Sequence, residues 1–128
     1  MHRLSGTWRG LYSYPVALDP VPFTAQLRHA EEWLSGTTAE TAAFGITSGR
    51  TVSATLTGRV AGTQVTFLKT YDRQSAEYDA VHYGGEVDSE GNEIWGTWTV
   101  PGNWSGTFLM IRASQPQAAL GARWAERV

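Results

Sequence analysis

The sequence predicts an all-β fold, an eight-stranded antiparallel up-and-down barrel followed by a short C-terminal helical tail. Three observations lead to this prediction. The 128 residues include 14 glycines and five prolines, among many Thr, Val and aromatic residues that favour short strands and tight turns. Apolar and polar residues alternate along several segments, as in strands with one buried face. Short connections then place consecutive strands side by side in antiparallel order.

The alternation is clearest in VPFTAQLRH. Its alternate apolar residues share one face of the extended chain, namely Val21, Phe23, Ala25 and Leu27. Alternation and turn signals together predict eight strands. These are placed near Leu4 to Tyr14, Val21 to Arg28, Trp33 to Glu40, Val52 to Val60, Thr63 to Tyr71, Glu77 to Val87, Glu93 to Val100 and Trp104 to Ala113.

Glycines inside the strands indicate that the sheet closes. LSGTW, LSGTT, LTGRV, WGTW and WSGTF each place a glycine within a predicted strand, where it permits the sharp bend of a closing sheet. A closed eight-stranded barrel encloses side chains or one small ligand. We expect residues 1–113 to form this single domain and residues 114–128 a tail, with a helix of one or two turns supported by the spacing of Leu120 and Trp124.

The composition argues against several partners. A net charge of −2 with scattered basic residues gives no positive stripe for phosphates, so nucleic acid is not an expected partner. Without cysteine, disulfide and thiolate chemistry are excluded. Patterned strand sequence follows MHRL directly and no run of about 20 apolar residues could span a bilayer, so we expect a cytoplasmic protein that does not bind membranes. The sequence contains no metal-ligand or phosphate-loop motif, so neither a metal nor a cofactor is expected.

Two terminal motifs resemble a known group of barrels. Gly6-Thr7-Trp8 opens the first strand, and Arg112 in GTFLMIR closes the last. This combination resembles the signature of the calycins, which include lipocalins, fatty-acid-binding proteins and avidins. The spacing of the last four strands is most similar to the avidin–streptavidin family. The resemblance implies a closed barrel with an interior ligand site.

The ligand residues of the avidin family are retained only in part. Ser13 and Trp98 match family positions, and Phe67 stands where a tryptophan is usual. Gly10 occupies the position of a biotin-binding Asn, and Gly106 that of an Asp. With this polar set incomplete, the resemblance does not lead us to predict biotin.

Trp8 and Arg112 are predicted to meet at one end of the barrel, which we call the floor. In a closed meander the first and last strands are antiparallel neighbours, so the start of one lies beside the end of the other. A guanidinium stacked on the indole would close this end and contribute about 0.5 to 2 kcal/mol. The opposite end, the mouth, receives the longer connections and is the expected ligand entrance.

Inward-facing residues near the mouth form the predicted binding site. They are Tyr12, Tyr14, Lys69, Tyr71, His82 and Trp98, with Phe67 deeper, Trp104 at the rim and Phe44 in a candidate lid, TAAFGITSGR. Clustered aromatic side chains in a small barrel can also simply fill its core. His82 would face outward if its strand were bulged at the two following glycines.

Lys69 is the most informative of these residues. The other inward residues of its strand are apolar or aromatic, so the ammonium must reach water at the rim, pair with an acid, or meet an anionic or carbonyl group of a ligand. We expect it near the rim, where its removal would weaken ligand binding more than folding.

Three functions are compatible with this pattern. The first is binding of a small, largely apolar or aromatic molecule inside the barrel. The second is an enzyme, an isomerase or cyclase that uses Lys69, Tyr71 and His82 as acid, base or carbonyl anchor. The third is a scaffold whose barrel is filled and whose outer wall binds other proteins.

The outward faces of neighbouring strands predict self-association. An apolar patch of Leu68, Trp95, Leu109 and Ile111 would lie on the barrel wall, and soluble domains rarely leave such a patch exposed. We therefore expect a homo-oligomer, unless the C-terminal tail covers the patch instead.

Overall fold

A computed structural model describes residues 3–15, 19–41, 51–72, 80–102 and 104–127. All eight predicted strands are present. In chain order they are β1 (Gly6–Tyr12), β2 (Val21–Ala30), β3 (Trp33–Thr41), β4 (Thr51–Ala61), β5 (Gln64–Tyr71), β6 (Val81–Val87), β7 (Glu93–Val100) and β8 (Trp104–Arg112). The start predicted for the sixth strand, at residues 77–79, lies outside the described residues. One helix follows, α1 (Gln117–Arg127).

The strands form a closed antiparallel barrel in sequence order, which confirms the predicted fold class. Each strand pairs with the next one in the chain, and β1 pairs with β8 to close the cylinder. In this last pairing Trp8 lies opposite Arg112 and Tyr12 opposite Phe108. The first and last strands are therefore neighbours, as the position of the two terminal motifs requires.

The two ends of the barrel differ in their connections. Tight turns close the floor, including one at Gly62, whose φ of 63° lies in the left-handed region that glycine adopts without strain. The mouth receives the connections that contain residues 16–18, 42–50 and 73–79, all outside the described residues. Phe44 lies in the second of these segments, as does the candidate lid apart from its first residue, Thr41, which ends β3.

The alternation of β2 places one face of the strand in the core. Val21, Phe23, Ala25 and Leu27 are buried, while the residues between them are exposed. On the other strands, too, alternate residues face the interior. In the floor half of the barrel these inward residues are Trp8 and aliphatic side chains. Among the described residues, no helix is long and apolar enough to cross a membrane.

The helix α1 packs on the outside of the barrel against β1 and β8. It has 11 residues, about three turns, and is longer than predicted. Glu93 at the start of β7 accepts a hydrogen bond from Arg127 Nε at 2.8 Å and pairs with Arg123 at 3.3 Å. The Arg127 guanidinium also lies 3.7 Å from the centroid of the Trp95 ring. These contacts fix the last turns of the helix to the barrel wall.

The apolar patch predicted on the outer wall is partly covered within the chain. Leu109 and Ile111 are buried although they lie outside the interior cluster of side chains. Trp95 is half-buried beneath Arg127, and Leu68 is half-buried. Self-association remains a prediction, and two of the four residues on which it was based are not accessible on the surface.

Candidate functional site

The floor is closed by the predicted cation–π contact. The Arg112 guanidinium lies 4.7 Å from the centroid of the buried Trp8 ring, inside the range of about 6 Å for this interaction. The Trp8 indole nitrogen donates to the Leu4 carbonyl at 2.9 Å, and Arg112 donates to the Gly91 carbonyl at 3.0 Å. Side chains therefore plug this end, and the mouth is the end at which a ligand could enter.

An ion pair lies in the interior toward the mouth. Lys69 Nζ is 3.0 Å from Oε1 of Glu40, and the two side chains are 2% and 4% exposed. Lys69 belongs to β5 and Glu40 to β3, and β4 separates these strands. Of the three alternatives considered for Lys69, pairing with an acid is the one observed. The expectation that its ammonium reaches water at the rim is wrong, because the wall and the neighbouring aromatic rings bury it.

Tyrosine hydroxyls surround the ion pair. Tyr12 and Tyr71 both donate to Glu40, the second at 3.2 Å. Together with Lys69 they give the buried carboxylate three donors, and each of its two oxygens accepts at least one hydrogen bond. We call this group the ion-pair cluster, and it comprises Tyr12, Glu40, Lys69, Tyr71 and Tyr83.

Aromatic rings enclose the ammonium group of Lys69. Its Nζ lies between 4.8 and 5.9 Å from the centroids of four rings, those of Tyr12, Phe23, Tyr71 and Tyr83. A desolvated cation gains about 2 kcal/mol from such a ring face. The rings thus offset part of the hydration that the ammonium loses on burial, and they fix its position.

The protonation states in the ion-pair cluster follow from its surroundings. Burial by itself would lower the pKa of Lys69, but the facing tyrosine oxygens and the Glu40 carboxylate outweigh burial and raise this pKa above its ordinary value. Burial raises the pKa of Tyr12, Tyr71 and Tyr83, and the charge of Glu40 adds to this effect. At neutral pH the lysine is therefore a cation and the three phenols are neutral donors.

These shifts predict an unusual alkaline titration. The three phenols keep their protons in the folded barrel above pH of about 10, where tyrosines in an unfolded chain ionise. Because their folded pKa is raised, their contribution to stability is complete below pH of about 10 and is lost as the pH rises further. We expect phenolate absorbance from at most two of the five tyrosines until circular dichroism reports unfolding, and from all five in denaturant. Ionisation of all five in the folded protein would contradict the buried cluster.

Partly buried rings lie above the ion-pair cluster at the mouth. The ring centroids of Tyr14 and Trp104 are 5.1 Å apart. Both rings pack edge-on against the buried Trp98, at 5.9 and 6.2 Å. The Trp98 indole nitrogen donates to the Ser13 carbonyl at 2.8 Å and is held in place by it. The mouth therefore has a fixed aromatic wall whose outer members remain accessible in part.

The structure brings most of the predicted site residues together inside the barrel. This group comprises Tyr12, Tyr14, Phe67, Lys69, Tyr71, Trp98 and Trp104. Phe67 lies deeper than the others, as predicted, and its ring stacks on that of Tyr83 at 4.7 Å. Phe44 lies outside the described residues.

The predicted inward placement of His82 is wrong. Its side chain is exposed, and it lies opposite Leu68 on β5, a residue of the outer wall. Directly paired residues share a face of the sheet, so Val81, which lies opposite Lys69, belongs to the inward set. The pairing continues through Gly84 and Gly85 without a bulge. His82 faces outward simply because it follows an inward residue.

Three positions singled out by the avidin resemblance have structural contacts in this chain. Gly10 and Gly106 are packed against aromatic rings, and Ser13 forms a hydrogen bond in the barrel wall. The Phe23 ring covers Gly10, where any side chain would collide with it. At Gly106 an added Cβ would lie 2.6 Å from the Trp98 indole nitrogen. The Ser13 hydroxyl lies 2.9 Å from the Thr107 hydroxyl near the surface.

Two polar residues of β3 were not identified from the sequence. Glu40 holds the centre of the ion-pair cluster, and Thr38 lies one inward position closer to the floor. The Thr38 hydroxyl is buried without a hydrogen-bond partner among the described residues. Counting alternate residues from Leu34 places both on the inward face, so the same alternation that revealed Lys69 could have found them.

Comparison with known proteins identifies no function for this chain, so the geometry of the barrel interior carries the functional inference. No protein-family model matches this chain, and no curated protein matches it. Within the described ranges, no group of three or more metal-ligating side chains could hold an ion. The closed antiparallel barrel is compatible with the calycin-like fold that the terminal motifs resemble, and with ligand binding.

Proposed function

We propose that this protein binds a small, largely apolar or aromatic molecule in the mouth half of its barrel. The apolar part of the ligand lies against the aromatic wall of Tyr14, Trp98 and Trp104. Its polar end reaches the ion-pair cluster, where the partly accessible hydroxyl of Tyr71 donates its proton to Glu40 and offers an oxygen lone pair to a donor group of the ligand.

The single observation behind this proposal is the buried ion pair of Lys69 and Glu40. Removing two charges from water costs several kcal/mol for each ion, and well-packed apolar residues in their place usually leave a fold equally stable or more stable. A barrel that needed only a filled core would not require this pair. Oriented charges and hydroxyls in a mostly apolar cavity are what fix the polar end of a ligand.

The hydroxyl of Thr38 supports the same proposal. A buried hydroxyl without a hydrogen bond costs about 1 to 3 kcal/mol, and a polar atom of a ligand or a water molecule would remove that cost. Thr38 lies beneath Glu40 and between two small inward residues, Ala25 on β2 and Ala54 on β4. The side chains of these two alanines are smaller than the aromatic rings of Phe67 and Tyr83 elsewhere in the interior.

A filled scaffold is the second candidate, and the Phe23 ring over Gly10 favours it. The packing of Trp98 against Gly106 has the same effect. Catalysis receives less support, because Lys69 is held as a cation and the buried tyrosines as neutral phenols. Neither group is then a proton acceptor at neutral pH, and His82, the third candidate base, faces away from the interior.

A ligand screen tests the proposal. Thermal shift with hydrophobic acids, ketones and aromatic metabolites should yield hits, each then titrated against variants by calorimetry. We expect Tyr71→Phe to weaken a hit by about two- to tenfold, the effect of one neutral hydrogen bond. Substituting Lys69 alone would be a poor test, because it leaves Glu40 buried without its counter-ion.

His82→Gln is the matched control, since this residue lies on the outer wall. It should leave both affinity and melting temperature unchanged. A hit that binds Tyr71→Phe and the double variant Glu40→Leu/Lys69→Met as tightly as the natural protein must lie elsewhere. A screen without hits would support the filled scaffold.

A further inference from the structure

The N-terminal segment Arg3 to Ser5 covers the floor of the barrel. Arg112 donates to the carbonyls of Arg3 and Ser5. The Trp8 indole nitrogen donates to the carbonyl of Leu4, whose side chain is buried in the interior core. This segment therefore lies between the interior and solvent at the end of the barrel opposite the mouth.

His29, the inward residue near the end of β2, holds the same segment. Its buried imidazole accepts a hydrogen bond at Nδ1 from the backbone N–H of Leu4, at 3.2 Å. Its backbone N–H donates to the Ser5 hydroxyl at 2.8 Å, and that hydroxyl lies 3.4 Å from the His29 carbonyl. One residue thus contacts the covering segment through both its side chain and its backbone.

The hydrogen bond from the Leu4 N–H to the His29 ring determines the protonation state of the imidazole. A backbone N–H can only donate, so Nδ1 must present its lone pair and the ring must be neutral. If Nδ1 takes up a proton from solvent, it becomes a donor facing another donor. The imidazolium then loses this hydrogen bond and becomes a charge in a buried site.

We propose that His29 is an acid-sensitive latch, whose protonation at Nδ1 releases residues 3–5 and opens the floor of the barrel. The charged side chains at this end of the described chain are Arg3, Arg28, Glu31, Glu32, Arg59, Glu86, Asp88, Glu90, Arg112, and Glu93 with its partners Arg123 and Arg127. Arg3 and Arg112 belong to the network on the covering segment itself, and their positive charge disfavours an imidazolium beside it. Glu31 and Glu32 follow β2 in an exposed turn, where solvent screens them.

The pH dependence of floor opening follows from which state, closed or open, allows His29 to take up a proton. The closed floor requires neutral His29, whereas a released histidine accepts a proton near its ordinary value of about 6.5. Below that pH the open state binds one more proton than the closed state. The equilibrium constant for opening should therefore rise about tenfold for each further unit of acidification.

Hydrogen exchange of the Leu4 amide measures this opening directly in the full chain. After correction for the intrinsic exchange rate, its protection should fall about tenfold per unit below pH of about 6. His29→Asn supplies a side-chain oxygen as a neutral acceptor and should abolish this dependence. His82→Gln, at the exposed histidine on β6, should retain it.

Two results would overturn the proposal. One is Leu4 protection that does not change with pH in the natural protein, and the other is an equal pH dependence in His29→Asn. If His29→Asn does not fold, the ring resonances of His29 decide the matter in the natural protein. Charging of the ring while the Leu4 amide stays protected would exclude the latch, whereas simultaneous charging and loss of protection would establish it.

Discussion

Replacing Glu40 by leucine is expected to lower the free energy of unfolding by about 3 to 5 kcal/mol, because it leaves the ammonium of Lys69 uncompensated in a closed interior. Losing the carboxylate removes one of the groups that raise the pKa of Lys69, so the pKa of the buried ammonium falls. The stability deficit relative to the natural protein at the same pH should therefore shrink as the pH rises. Denaturant titration at neutral and alkaline pH measures both effects.

The matched control removes both charges. In Glu40→Leu/Lys69→Met no buried ion remains, so most of the lost stability should return. Recovery will be incomplete, since Tyr12 and Tyr71 each lose an acceptor for their hydroxyls. A coupling free energy of at least about 2 kcal/mol is expected from the double-mutant cycle. Equal losses in the single and double variants would mean that the ion pair is not buried as described.

Replacing Trp8 by alanine should cost about 3 to 5 kcal/mol, the usual effect of deleting a large buried aromatic side chain. The change leaves a cavity at the floor and removes the ring on which the Arg112 guanidinium is stacked. Trp33→Ala is the comparison variant, because Trp33 is 58% exposed on the outer wall and should cost about 1 kcal/mol or less. Denaturant midpoints provide the measurement, and a loss below about 1 kcal/mol at Trp8 would contradict the closed floor.

Local patterns were sufficient to predict the barrel. The alternation in VPFTAQLRH fixes which face of β2 is buried, and short turns fix the neighbours of each strand. The glycines inside the strands then indicate that the sheet closes, and closure predicts the contact between Trp8 and Arg112. All of these signals act between residues that are close in sequence or that lie in adjacent strands.

The site was harder to predict because its contacts cross the barrel. Lys69 and Glu40 lie on strands that do not pair, so no cross-strand register brings them together. The alternation placed Lys69 inward but gave no reason to select Glu40 as its partner among the acids of the chain. His82 was misplaced for a simpler reason, since Val81 and His82 are both plausible inward residues until the pairing with Lys69 is known.

Local sequence patterns could not predict that Leu109 and Ile111 are covered within their own chain. Whether an apolar outer patch meets a second molecule or the tail of its own chain depends on where α1 docks. Glu93 and its two arginine partners provide that docking, and they lie about 30 residues apart in the sequence. The helix itself extends through Gly121, whose unfavourable propensity is overcome by packing against the wall.

The pairing of β1 with β8 has a consequence for how this protein meets others. In an open sheet the outermost strands expose unpaired N–H and C=O groups, and another chain can extend the sheet by adding a strand there. Here every one of the eight strands has a neighbour on both sides, so the barrel offers no backbone template for such augmentation. Within the part of the chain that the structure describes, the strands can therefore contact a second copy or another protein through their outward side chains, but not by strand addition.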